Sequence, residues 1–104
     1  MQALIHHFQQ YLPLSEEEIQ LFTLRVQTRR IKRRQMILQE GLVCHHYTFI
    51  EKGCFKMYGV DDRGIEHNIQ FAAEDDWIAD IGSFHSKKPS RLFIEAIEPS
   101  EIIQ

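Results

Sequence analysis

The sequence predicts a mainly β protein, an antiparallel roll or barrel, and three observations carry that prediction. Short runs rich in β-branched and aromatic residues recur between Gly41 and Ala96. Two corners separate them: Glu51-Lys52-Gly53, between residues 47–50 and 54–60, and Asp61-Asp62-Arg63-Gly64, before residues 65–71. Asp bonds its own backbone in such corners and Gly accepts the positive φ they need, so strands at this spacing fold back as antiparallel neighbours. One compact connection then breaks the rhythm, running from Asp76 to Phe84 and on through Pro89-Ser90-Arg91 to Ala96.

Taken in order, residues 2–11 carry Ala3, Leu4, Ile5, Phe8 and Tyr11 at helical spacing and stop before Pro13. Ser15 stands three residues before Glu18 in the pattern of a capping box, and Ile19, Leu21, Phe22 and Leu24 supply the apolar side of a second short helix. Both helices are expected to pack on the roll. Residues 25–34 hold six basic side chains, Arg25, Arg29, Arg30, Lys32, Arg33 and Arg34, interleaved with Val26, Thr28 and Ile31. That pattern reads as a strand with a solvated face in preference to a nucleic-acid contact, because the whole chain is formally −3. Residues 35–39 form the next strand, with Met36 and Leu38 on one face and Ile37 on the other, before Glu40-Gly41 turns the chain.

At 104 residues, with 43% hydrophobic and 26% charged side chains, the chain reads as one domain, 1–104, with the composition of a soluble globular protein. No apolar run approaches the roughly 18 residues of a membrane span. The start, Met1 to His7, lacks the form of a signal peptide. No membrane partner and a cytoplasmic location are therefore expected. Cys44 and Cys54 are too few for a zinc ribbon and read as reduced, half-buried strand thiols, a redox disulfide being the alternative.

Catalytic patterns are missing. A cupin-type metal site needs two histidines one residue apart on a strand, whereas His45 and His46 are adjacent and would face opposite ways. His67 and His85 have no spacing that completes a site, so no metal is expected. There is no Gly-x-Ser-x-Gly elbow, phosphate loop or His-Glu-x-x-His helix, and the pairs Asp61-Asp62 and Asp75-Asp76 lie at corners where Asp is favoured for its backbone bonds. The chain is not expected to be an enzyme.

The run Gly41-Leu42-Val43-Cys44, then Tyr47-Thr48-Phe49-Ile50-Glu51-Lys52-Gly53, then Asp61-Asp62-Arg63-Gly64-Ile65-Glu66, resembles the sensor domain of the Crp/Fnr family of bacterial transcription regulators. The resemblance is best over residues 14–104. It implies a double-stranded, jelly-roll-like β-roll of about eight strands, the cyclic-nucleotide-binding-like fold, with short N-terminal helices and a further short helix over residues 78–84. It also implies a full-length homodimer, with a dimerisation helix and a DNA-binding winged helix-turn-helix beyond Gln104. By itself the chain is then expected to be a monomer or weak dimer without sequence-specific DNA binding. Members with an iron–sulfur cluster use four cysteines, which this chain does not supply.

In that family the connection from Asp76 onward is a phosphate-binding cassette. Members that bind cyclic AMP carry Gly-Glu at its start, the Glu taking the ribose, and Arg-Ser or Arg-Thr at its end, the Arg taking the phosphate. Ala79-Asp80 and Ser90-Arg91 occupy those places here. Asp80 is one methylene short, Ala79 adds a methyl, Ser90 cannot form the charge-assisted pair, and Arg91 is aimed across the backbone. The candidate ligand-binding residues are Ile69, Phe71, Ala79, Asp80, Ile81, Ser90 and Arg91, the alternative being that Asp80 and Arg91 are ordinary surface residues, with or without a pair between them. Trp77, Ile78, Ile81, Phe84, Leu92, Phe93, Ile94 and Ile97 are expected in the core or the pocket wall. The favoured function is an effector-sensing regulatory domain with no cofactor and cyclic nucleotide disfavoured, its effector an unknown small molecule or none. A ligand-free protein-interaction module is the runner-up and a cupin-type metalloenzyme comes third.

Overall fold

The computed structural model describes residues 5–6 and 15–104. Of the helix expected over 2–11 only Ile5 and His6 are described, and they are helical; the rest lies outside the described residues. Helix α1 (Glu16–Arg25) opens on a complete capping box, the Ser15 hydroxyl accepting from the Glu18 N–H at 3.2 Å and the Glu18 carboxylate accepting from the Ser15 N–H at 3.4 Å. Its expected apolar side is corrected. Leu21 and Leu24 are 55% and 82% exposed while Ile19 is half-buried, because at 100° per residue both leucines lie across the helix from Ile19.

Eight strands follow: β1 (Thr28–Ile31), β2 (Met36–Leu38), β3 (Thr48–Lys52), β4 (Phe55–Val60), β5 (Glu66–Ala72), β6 (Trp77–Ile78), β7 (Leu92–Ala96) and β8 (Ser100–Ile103), with helix α2 (Ile81–Ser86) between β6 and β7. They form two antiparallel sheets, β1-β8-β3-β6 and β2-β7-β4-β5. The β-roll expected from the sequence is the fold observed. Ile31, Ile50, Ile78 and Ile102 from one sheet meet Leu38, Phe55, Met57 and Ile94 from the other in one buried cluster. Gln104 fastens the first sheet: its backbone exchanges two 3.0 Å bonds with Gln27, its amide donates to Thr48 at 3.0 Å, and its side-chain oxygen accepts from Arg29 at 2.9 Å.

Several boundaries differ from expectation. The basic run is not one strand: Arg25 closes α1, only residues 28–31 pair, and residues 32–34 turn, with Arg34 at φ 67°. The helix expected over 78–84 begins at Ile81, because Trp77 and Ile78 pair with Phe49 and Thr48 and Asp80 caps the helix. Ile81 and Ile97, expected in the core or wall, are 61% and 38% exposed. Cys44 is buried and Cys54 half-buried, both free, but neither lies in a strand as expected; each sits in a connection before one.

Gly53 makes the crossing from β3 in one sheet to β4 in the other. It has φ 106°, and a Cβ built there would stand 2.5 Å from Ser100 Cβ and 2.9 Å from Ser100 Cα. Gly64, at φ 80° in the β4–β5 corner, would meet nothing within 4 Å. Gly53→Ala should cost about 3 kcal/mol or more, from strain plus a backbone collision, and Gly64→Ala only about 1 kcal/mol. Urea denaturation of the two variants checks the order; equal losses would mean that strand β8 yields freely.

Tyr58 on β4 is 3% exposed, stacks on Phe93 with centroids 5.2 Å apart and planes at 14°, and donates to Glu95 at 3.0 Å. Burial, and then the bond to Glu95, push its phenol up to about 12. A phenol whose pKa is raised in the folded state stabilises fully below pH ~10 and loses that contribution as pH rises through about 12. The thermal midpoint should therefore fall over that window, and Tyr58→Phe should flatten the fall.

Candidate functional site

The connection is held from both sides by small polar residues. Ser90, 3% exposed, is tied through its backbone to the turn at Gly41-Leu42, its N–H reaching Leu42 O at 2.7 Å and its carbonyl accepting from Gly41 at 2.9 Å. Val43 and Pro89 form an isolated bridge beside it. Ser83 in α2 accepts from the Cys44 N–H at 2.9 Å and donates to Lys88 O at 2.6 Å, and Lys87, at φ 60°, ends the helix. The ends of the connection are thereby brought together.

Asp80 joins them. One carboxylate oxygen accepts from the Ser83 N–H at 3.1 Å, capping α2, and the other accepts from the Ser90 hydroxyl at 2.5 Å. The same hydroxyl accepts from the Leu92 N–H at 3.0 Å. Ser90 Oγ thus donates once and accepts once, and both carboxylate oxygens of Asp80 are engaged. Ala79 precedes it at 8% exposure.

The other candidates stand elsewhere. Arg91 is exposed and turns, with Ile69, into an open hollow of about 440 Å³ that also presents Glu40, Asp61, Asp62 and His67. Arg91 is thus a surface residue, but it forms no ion pair with Asp80, which is committed to Ser90 and Ser83 on the buried side of the chain. Phe71, 61% exposed, borders a different hollow with Arg34, Lys56 and Glu95. A bulge separates it from Ile69: Met57 pairs with Gln70 and Tyr58 with Asn68, leaving Ile69 without a cross-strand partner. Of the seven predicted residues, Ala79, Asp80 and Ser90 form one cluster, Ile69 and Arg91 a second, and Phe71 and Ile81 belong to neither.

The acidic surroundings of Arg91 are not announced by the sequence, in which Asp61 and Asp62 have the pattern of corner residues. Asp61 does build the corner, one carboxylate oxygen accepting from the Arg63 and Ile65 N–H groups at 2.9 and 3.0 Å. Its other oxygen meets His67 Nε2 at 2.8 Å, and that bond first, then the backbone donors, holds the carboxyl below its ordinary value. Around the hollow, three carboxylates (Glu40, Asp61, Asp62) face one guanidinium, Arg91, and one imidazole, His67. His45 and His46 are exposed and off any strand, and His85 bonds the Tyr47 hydroxyl at 2.9 Å. Among the described residues, no three His, Cys, Asp or Glu side chains gather as a metal would require.

The model of the cyclic nucleotide-binding domain matches residues 28–104, from β1 to the last residue of the chain. The chain belongs to the cyclic nucleotide-binding domain family. Solved structures agree in fold with this cyclic nucleotide-binding domain. The sensor domain of the transcriptional regulator DNR from Pseudomonas aeruginosa matches with a TM-score of 0.80 at 21% identity, over 98% of this chain and 67% of that one. Catabolite activator protein from Thermus thermophilus matches at 0.73 and 16%, over 89% of this chain and 43% of that one. The N-terminal domain of a transcriptional regulator from Streptomyces coelicolor A3(2) matches at 0.73 and 14%, over 88% and 64%. The chain therefore spans two thirds or less of these three structures. No curated protein sequence matches it. Among the described residues no helix is long and apolar enough to cross a membrane.

Within this cyclic nucleotide-binding domain the bond from Ser90 to Asp80 is internal cross-bracing. Ser90→Ala should cost about 1–3 kcal/mol, since it leaves a carboxylate oxygen and the Leu92 N–H without their partner. Arg91→Ala should stay within about 0.5 kcal/mol. Chemical denaturation of both variants checks the contrast, and an equal cost would mean that Arg91 braces the connection.

Proposed function

We propose that the chain is the effector-sensing regulatory domain of a Crp/Fnr-like transcription regulator, and that neither cyclic AMP nor cyclic GMP is its effector. The observation that carries this reading is the 2.5 Å bond between Ser90 and Asp80. In nucleotide-binding members the two matching positions hold the phosphate and the ribose; here they satisfy each other. The carboxylate that a ribose would need also caps α2 through Ser83. Arg91, the nearest guanidinium in sequence, opens on three carboxylates, surroundings that disfavour a further negative charge. In the resembled family, DNA is bound by a separate domain beyond this chain and the full-length protein is a homodimer. We extend both properties to the protein that contains this domain. Its effector is a small molecule other than a cyclic nucleotide, or none.

The Ser90–Asp80 closure also favours a second reading, in which the roll serves as a protein-interaction module without a ligand. Neither reading gives the chain a catalytic role.

Titration calorimetry tests the proposal. The chain should give no binding heat with cyclic AMP or cyclic GMP up to millimolar concentration. The combination Ala79→Gly, Asp80→Glu, Ser90→Arg and Arg91→Ser should improve affinity by about 10- to 150-fold, the equivalent of one charged hydrogen bond. Micromolar binding by the unmodified chain would overturn the reading. No gain in the combined variant would move the cause of exclusion from these side chains to the shape of the roll.

A further inference from the structure

The antiparallel register sets Glu101 of β8 beside two cations at once, Arg30 on β1 and Lys52 on β3. The carboxylate reaches both loosely, at 3.7 Å from Arg30 Nε and 3.9 Å from Lys52 Nζ. The two basic side chains remain 91% and 71% exposed. Lys32 and Arg33 flank them on the turn after β1, and among the described residues neither is in an ion pair. These groups surround a hollow of about 540 Å³ whose wall is mostly carbon, contributed by Pro99 and the stems of the basic side chains, with the buried Ile31 beneath. Four cations thus face one carboxylate on a chain whose net charge is −3.

We propose that this hollow is a docking site for an acidic peptide segment of a partner protein, one that carries an apolar side chain among its carboxylates. Loose sharing of one carboxylate between two cations leaves both able to accept a second anion, and Lys32 and Arg33 add two more at the rim. The carbon wall gives an apolar side chain a place to bury, which is what sets a peptide apart from a nucleic acid. A duplex offers an evenly charged backbone with no group for that wall. Specificity arises from the pairing of rim charge with apolar floor, and charge attraction speeds the encounter.

Fluorescence anisotropy with a short labelled peptide of Glu, Asp and Leu tests this on the 104-residue chain. The peptide should bind with a Kd on the order of 100 µM or tighter at low ionic strength, and a peptide of equal charge without Leu several-fold more weakly. The double variant Lys32→Glu with Lys52→Glu should weaken binding by about 10-fold. Arg33→Gln, on an exposed turn, should lower affinity in the same direction while the far-ultraviolet circular dichroism and the melting curve stay unchanged. Lys87→Glu with Lys88→Glu, on the far connection, should change affinity by less than about 2-fold. Absence of binding overturns the proposal. So do equal affinity without Leu, an equal loss in the Lys87 and Lys88 variant, or tighter binding of duplex DNA than of the peptide.

Discussion

The roll depends on closing both faces of strands β3 and β8. Phe49 and Ile50 are neighbours in sequence and so point to opposite faces, yet each has 0% exposure; Ile102 and Ile103, at 0% and 1%, repeat the pattern on the adjoining strand. Ile50 and Ile102 meet the opposite sheet, while Phe49 and Ile103 pair across the other face, where Trp77 lies 5.2 Å from the Phe49 ring. A one-residue slip would exchange the two faces but leave apolar side chains on both. The register is therefore fixed by other means: the close approach of Gly53 to Ser100, which admits no Cβ, and the Gln104 bonds to Gln27, Arg29 and Thr48.

The architecture was legible in the sequence because its signals are local. Gly53 and Gly64 mark corners whatever the rest of the chain does, and both have positive φ. The capping box at Ser15 and Glu18 is likewise a contact between residues three apart. What misled was periodicity without a partner. Leu21 and Leu24 look like a core stripe until their angle to Ile19 is considered, and the basic run from Arg25 to Arg34 hides the end of a helix, a four-residue strand and a turn. Neither the partner of a face nor the end of a ladder is written in the residues themselves.

The candidate site was legible in part for the same reason. Asp80 and Ser90 could be picked out by their places in the connection, but their mutual bond spans ten residues and depends on how the Gly41-Leu42 turn seats Ser90. The separation of Ile69 from Phe71 follows from a bulge, which an alternating pattern does not announce. The carboxylates around Arg91 come from two separate connections, one before β3 and one after β4. The residue type and place of Asp61 announce the backbone corner it builds, but not the contact of its second oxygen with His67, six residues on.

The fastening at Gln104 has a mechanical consequence. Its side chain and backbone join β8 to the segment leading into β1 and to the first residue of β3, so one residue bonds three neighbouring stretches of chain. Force applied along β8 at that point would load these bonds side by side, in shear, whereas force across the sheet would load them one after another, as in peeling. The sheet is accordingly stiff along its strands and compliant across them, and a tug on Gln104 in the strand direction would shift β1, β8 and β3 as a single plate against the other sheet.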